Sequence, residues 1–259
     1  MRKATILLGV LACAAAVAFA ALPDGERAID RLSDVLRSMQ DVTTDVAVVA
    51  GTKQATGTIT LQYAKEQRGG EEKTVRKYVV ETRRATPDGT VREKQVNDGK
   101  YLWVERTLVE TGEVKVTRRR VDPEGPVPGG FGPDWRKEMD SWRQKYTFKT
   151  LREDTFDAEK VVVVEGVRKP ADAAAPPSAA EIDITTPDRI VLFIAQRDDF
   201  PRKIDLYLKG SVKKPDGTSA VREVLACSVR FTHLKLNAGM KPGTFDYTLP
   251  AGAEFTDVK

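Results

Sequence analysis

The residues in this chain that could do chemistry are few. Its one histidine, His233, sits in the alternating stretch Val229, Phe231, His233 and Lys235. A hydroxyl or thiol nucleophile needs a histidine base held against it, and a metal site needs several converging ligands. Cys227 lies on the same run, and residues six apart on one continuous strand face the same way. They are also roughly 20 Å apart, beyond any hydrogen bond. The acidic pairs Asp198-Asp199 and Glu71-Glu72, with Asp183, have the residue type for glycosidase work or calcium binding, yet each falls at a turn signal where carboxylates are ordinarily solvated. Gly129-Gly130-Phe131-Gly132 is followed by no lysine and no phosphate-binding helix pattern, so nucleotide binding lacks a cradle. The chain reads as non-enzymatic, with no cofactor and no metal. An enzyme assembled from dispersed acids is the rival from another class.

Arg118-Arg119-Arg120, with Arg83-Arg84 on a neighbouring extended segment, forms the one dense basic cluster. Alternation puts Arg118 and Arg120 on one strand face, where they suit anionic headgroups or an acidic partner. The rest of the charge is interspersed in sign. At a net +4, or +2 once Arg2 and Lys3 are removed, it gives no field for steering nucleic acid.

The opening residues narrow the function further. Met1-Arg2-Lys3, an apolar run from Ala4 to Phe19 and the small-x-small pattern Ala18-Phe19-Ala20 read as a secretory signal peptide cut after Ala20. Residues 1–20 are then a leader and 21–259 a single domain in the periplasm, expected as a soluble monomer. Val10-Leu11-Ala12-Cys13 loosely matches a lipobox, the alternative that would leave a lipidated Cys13, but it would strand apolar residues 14–19 on the mature end. With Cys13 removed, Cys227 is the one cysteine left and no internal disulfide forms. An exported chain is cut off from cytosolic nucleotides and from chromosomal DNA, which leaves binding, envelope transport or cofactor-free chemistry.

The elements follow from periodicity. Asp24 can cap a helix whose Ile29, Leu32, Leu36 and Met39 recur at three and four, and from Val46 the period changes to two, with Ile59, Leu61 and Tyr63 alternating against Thr58, Thr60 and Gln62. Pro87-Asp88-Gly89, Asn97-Asp98-Gly99 and Thr111-Gly112 punctuate an antiparallel meander from Lys73 to Val121. The Pro/Gly-rich stretch from Asp122 to Pro133 is a long loop. Asp134 then caps a second helix with Trp135, Met139, Trp142 and Tyr146 on one face. After an Ala/Pro-rich connector from Lys169 to Ala180 come strands at Arg189 to Ala195, Arg202 to Lys209 and Ala220 to Leu236. About eleven strands and two amphipathic helices predict a mainly β (α+β) fold, a curved half-open antiparallel barrel with the helices over its concave face.

This organisation resembles the LolA-like family of periplasmic lipoprotein carriers and lipoprotein-sorting proteins. The resemblance runs through Gly57-Thr58-Ile59-Thr60-Leu61-Gln62-Tyr63, the hairpin Asn97-Asp98-Gly99 into Tyr101-Leu102-Trp103-Val104, and Asp199-Phe200-Pro201. It ends on Phe231 to Asn237 followed by Phe245 to Glu254. It implies a half-barrel that shields lipid or lipoprotein acyl chains, with possible envelope membrane proteins as further partners. The resemblance makes Ile59, Leu61, Tyr63, Trp103, Phe131, Trp135, Met139 and Trp142 the candidates for cavity and lid. Family carriers have an arginine tied to lid closure just after the glycine-led strand; here Lys65 stands only approximately there, and it joins Arg118 and Arg120 as a candidate headgroup or partner contact. A non-transporting sensor or interaction domain on the same fold is the alternative.

Overall fold

The computed structural model describes residues 24–68, 70–121, 135–170, 186–213 and 219–258. The expected leader with Cys13, the Pro/Gly loop with Phe131, most of the connector, and Asp183 lie outside the described residues.

Helix α1 (Gly25–Ser38) starts where the sequence predicts: the Asp24 carboxylate accepts from the Glu26 N–H at 3.3 Å, with Glu26 in the first turn and Arg37 in the last to complement the helix dipole. Its apolar stripe of Ala28, Ile29, Leu32 and Leu36 is buried. The strands are β1 (Asp41–Ala50), β2 (Lys53–Arg68), β3 (Glu71–Thr86), β4 (Gly89–Asn97), β5 (Tyr101–Leu108) and β6 (Val114–Arg120). Then come α2 (Trp135–Lys145), β7 (Tyr146–Phe156), β8 (Glu159–Arg168), β9 (Arg189–Ala195), β10 (Pro201–Lys213), β11 (Ser219–Leu236) and β12 (Phe255–Asp257). Among the described residues the twelve strands form one open curved sheet in the order β12-β6-β5-β4-β3-β2-β1-β11-β10-β9-β8-β7. This is the mainly β half-barrel expected, with one strand more than the eleven counted. The extra strand, β12, lies parallel to β6, so the sheet is not wholly antiparallel.

Two features shape the sheet. An ideal Cβ on Gly57 would fall 1.9 Å from the Glu81 carbonyl oxygen and 2.9 Å from Thr82 Cα. Here the backbone of β3 leans over β2, and only glycine leaves room for that bend. The second feature is a pair of irregularities in β11. The register against β10 slips at Ala226, and that against β1 slips between Thr43 and Asp45, opposite His233, whose φ is 51°. Each inserted residue reverses which side chains face inward. Cys227, Val229 and Phe231 therefore pack in the core, whereas beyond the second slip Leu234 and Leu236 do so and His233 is exposed. The expected continuation of Val229 and Phe231 into His233 and Lys235 is corrected by this bulge. Cys227 and His233 lie on opposite faces, so the dyad is excluded by orientation as well as distance.

Candidate functional site

The registers let the inward side chains be read straight across the sheet. One transverse line runs Leu236, Val42, Leu61, Tyr78, Asn97, Leu102 and Arg119; two residues further along the strands another runs from Ile59 through Val80, Gln95 and Val104 to Thr117. A third passes from Phe231 and Val46 through Gly57, Thr82, Glu93 and Arg106 to Lys115. The first and third lines are apolar on β11, β1 and β2; from β3 onward apolar Val80, Leu102 and Val104 are interspersed with Asn97, Gln95, Glu93, Arg106, Lys115 and Arg119. The concave face is thus apolar on its β11–β2 half and mixed on the other.

Both helices sit on the apolar half. Ile29, Leu32 and Leu36 of α1 and Met139 and Trp142 of α2 belong to the same buried cluster as Ile59, Leu61, Leu192, Phe200 and Phe231. Trp135 meets Phe200 and Phe231 edge-on at 5.4 and 5.8 Å. Between helices and sheet remains a cavity of about 40 Å³, lined by residues such as Leu32, Leu36, Trp135, Met139, Trp142 and Ile204. The smallest ligand pockets hold about 300 Å³, so nothing the size of an acyl chain fits until α2 moves.

What holds α2 down is specific and slight. Arg136 donates from Nε to the Leu36 carbonyl at 2.8 Å and from Nη2 to the Met39 carbonyl at 2.6 Å, satisfying carbonyls at the C-terminal end of α1 that the helix leaves open. The same guanidinium lies 3.6 Å from the centre of the Tyr63 ring. Two further pairs, Arg37 with Asp140 at 3.2 Å and Arg143 with Asp30 at 2.5 Å, join exposed side chains and add little each. Trp142 Nε1 is buried with no hydrogen-bond partner. Sequence reasoning missed Arg136, because an arginine on the polar side of an aromatic helix looks solvated until the end of α1 is placed beside it.

The other sequence candidates divide. Ile59, Leu61, Tyr63, Trp135, Met139 and Trp142 come together in or against this cluster. Trp103 does not. It lies on the convex face, stacked on Tyr247 with centroids 4.8 Å apart and edge-on to Phe255 at 5.4 Å. The segment after β11 crosses that face: Asp41 accepts from the Ala238 and Gly239 N–H groups, Tyr247 donates to Glu105 at 3.0 Å, and β12 pairs with β6. Burial, with the Glu105 carboxylate alongside, pushes the Tyr247 hydroxyl up. Alternation in the sequence gives two faces but does not say which is concave, and a second apolar cover on the outside was not expected.

Arg118 shares that convex face. It donates to both Asp257 oxygens at 2.8 and 3.0 Å and sits over the Tyr101, Trp103 and Phe255 rings, so its charge is engaged within the chain. Arg120 is exposed on the same face, and Lys65, near the β2–β3 hairpin tip, pairs with Glu72 at 2.8 Å. Asp198 and Asp199 are committed to Arg202 at 2.6 Å and Arg31 at 2.9 Å. Among the described residues no group of three or more His, Cys, Asp or Glu could hold a metal ion. Burial pushes the Cys227 thiol up, which keeps it protonated and inert.

No protein-family model matches the chain, and no curated protein matches it. Solved structures do. The MucA/MucB complex from Pseudomonas aeruginosa matches at 13% identity with a TM-score of 0.41, over 86% of this chain and 60% of that one. A LolA superfamily protein from Nitrosomonas europaea matches at 12% identity and a TM-score of 0.28, over 86% of this chain and 98% of that one. The lipoprotein LppX from Mycobacterium tuberculosis matches at 9% identity and a TM-score of 0.41, over 83% and 96%. Among the described residues no helix is long and apolar enough to cross a membrane.

Proposed function

We propose that this protein is an exported, non-enzymatic binding protein that shelters lipid or lipoprotein acyl chains on the apolar half of its concave face while they cross the envelope. The observation that carries this reading is the roof: an aromatic helix, α2, lies on an apolar sheet surface and is fastened at its edge by Arg136 and two exposed ion pairs. Lifting α2 exposes Leu32, Leu36, Leu192, Ile204 and Phe231 as one continuous apolar floor.

The energetics favour exchange of α2 for a ligand. An acyl chain of about fifteen methylenes costs on the order of 12 kcal/mol to hold in water, at about 0.8 kcal/mol each. Removing Trp135, Met139 and Trp142 from the floor costs about 2–3 kcal/mol apiece, and the incoming chain covers the surface they leave. The closed form protects the floor when no ligand is present. Release into another apolar medium returns α2 to its seat.

The test uses the full chain expressed with its N-terminal segment, recovered from the envelope and analysed by native mass spectrometry followed by lipid extraction. Acyl species bound in about molar amount are the expected result. Protein that carries no lipid, and takes none up from vesicles while intrinsic fluorescence from Trp135 and Trp142 stays unchanged, overturns the reading.

A further inference from the structure

Trp142 packs its ring over the floor of the cavity and brings with it a donor that the protein leaves unanswered. The residue is 8% exposed, its Nε1 is buried, and no acceptor lies within hydrogen-bonding reach. Indole N–H groups buried in proteins nearly always find an acceptor, because an orphaned one has given up its bond to water for nothing. Among the described residues no other buried side-chain donor without a hydrogen bond lines that cavity. The surroundings explain the vacancy. The main-chain carbonyls of β9, β10 and β11 lie in the plane of the sheet and are taken up by neighbouring strands, so Leu192, Ile204 and Phe231 turn only hydrocarbon towards α2.

An acceptor for this N–H must therefore arrive with the ligand. On an acyl chain it is the carbonyl oxygen at the head, whereas an ether-linked chain offers only a weak ether oxygen. The rest of the lining limits the charge of that head. Among the described residues around the cavity there is no lysine, arginine or histidine, and the one carboxylate is Glu138, exposed at the rim. Arg136 and Arg143 are turned away, to the end of α1 and to Asp30. A carboxylate drawn down to Trp142 would be buried without a countercharge and with a second carboxylate nearby. That costs far more than burying a neutral carbonyl that is hydrogen-bonded. An ester or amide carbonyl meets both conditions.

We infer that Trp142 is the specificity-determining residue of the site: its indole N–H donates to the carbonyl oxygen of an ester- or amide-linked acyl chain, which it selects over ether-linked chains and over free fatty acid. This rests on the acyl-chain reading above. Apolar contact supplies the affinity and is the same for an ester and an ether of equal length. The hydrogen bond is what differs between them. When α2 closes on a loaded floor the donor meets its acceptor; when it closes on an empty one the donor stays unanswered.

The experiment offers delipidated full-length protein mixed vesicles of phosphatidylcholine with hexadecanoyl ester chains and its hexadecyl ether-linked analogue, re-isolates the protein and quantifies both lipids. The expected result is about fivefold enrichment of the ester, as one neutral hydrogen bond gives. In isotope-labelled protein the three tryptophans give three indole N–H signals. The one absent from Trp142→Phe moves further downfield on loading with the ester than with the ether. Trp142→Phe keeps a ring on the floor and loads the two lipids equally, and its Trp103 and Trp135 signals show that it is folded. Equal loading of the two lipids by the unaltered protein, a preference that survives Trp142→Phe, or a Trp142 signal that answers ester and ether alike overturns the role of Trp142 and leaves acyl carriage standing. Palmitate that displaces the ester lipid at equal concentration overturns the selection against free acid. Loading of neither lipid overturns both readings.

Discussion

The guanidinium of Arg136 lies 3.6 Å from the centre of the Tyr63 ring while donating to the carbonyls of Leu36 and Met39. One side chain on α2 thereby fastens the roof to the last turn of α1 and to the wall at β2. Arg136→Ala should cost about 1.5–3 kcal/mol for the lost charged hydrogen bonds. It should speed amide exchange across α2 ahead of the rest of the protein and speed lipid uptake. Arg136→Lys, which loses the fork and most of the stacking, should fall between. Hydrogen exchange resolved by peptide and stopped-flow transfer from vesicles are the measurements.

Gly57→Ala should be the most damaging single-methyl change in the sheet. The added carbon falls on the Glu81 carbonyl and Thr82 Cα, which are backbone and cannot swing aside. A loss exceeding about 4 kcal/mol is expected, in the class of severe backbone strain and overpacking. Denaturant titration checks it, with Gly51→Ala as the comparison at an open turn with positive φ, where about 1 kcal/mol is expected.

Trp103→Ala separates the two covers of the sheet. Truncation at this stacked, half-buried site should loosen the segment from Tyr247 to Asp257 and lower stability by about 2–3 kcal/mol. Lipid loading per folded protein should be unchanged, because the residue lies on the face away from the floor. Limited proteolysis of the C-terminal segment and lipid analysis of the same sample give both readings.

Alkaline pH should weaken the seam between β7 and the segment before β9. Tyr146, 2% exposed, donates its hydroxyl to the Pro187 carbonyl, and burial pushes it up to about 12 from an ordinary value of 10. A hydroxyl held protonated more tightly in the folded chain contributes stability that is complete below pH 10 and is lost as pH rises towards 12. Tyr146→Phe should make stability fall less steeply with pH over that window, the part left coming from Tyr247 and Tyr78, whose hydroxyls burial also pushes up, and lower it by about 1 kcal/mol at neutral pH, through the unanswered Pro187 carbonyl. Urea titrations at pH 8 and at pH 11 measure both effects.

Much of this architecture can be read from the residues themselves. The Asp24 cap, the stripe from Ile29 to Met39, the hairpins at Asp88-Gly89 and Asp98-Gly99 and the aromatic helix at Trp135 are local signals, and local signals set local structure. What escapes is whatever depends on register. Alternation through Phe231 and His233 looks uninterrupted until pairing with β1 reveals an extra residue. Arg119 looks like the middle of a solvated triplet until strand order turns it inward and its neighbours outward. Trp103 belongs to a surface made by a segment nearly 150 residues further along, and Arg136 has its role only through the end of a helix nearly 100 residues earlier.

The two margins of the sheet are both guarded. At one, three residues of β12 occupy β6; at the other, the Glu26 carboxylate takes the Phe148 N–H at 2.8 Å, and β7 then slips register between Thr150 and Arg152. Strands left open there would template edge-to-edge pairing of one copy with the next and so growth into fibrils. A clipped C-terminus would reopen the β6 margin, so polymerisation after proteolysis is the failure that this short parallel strand prevents.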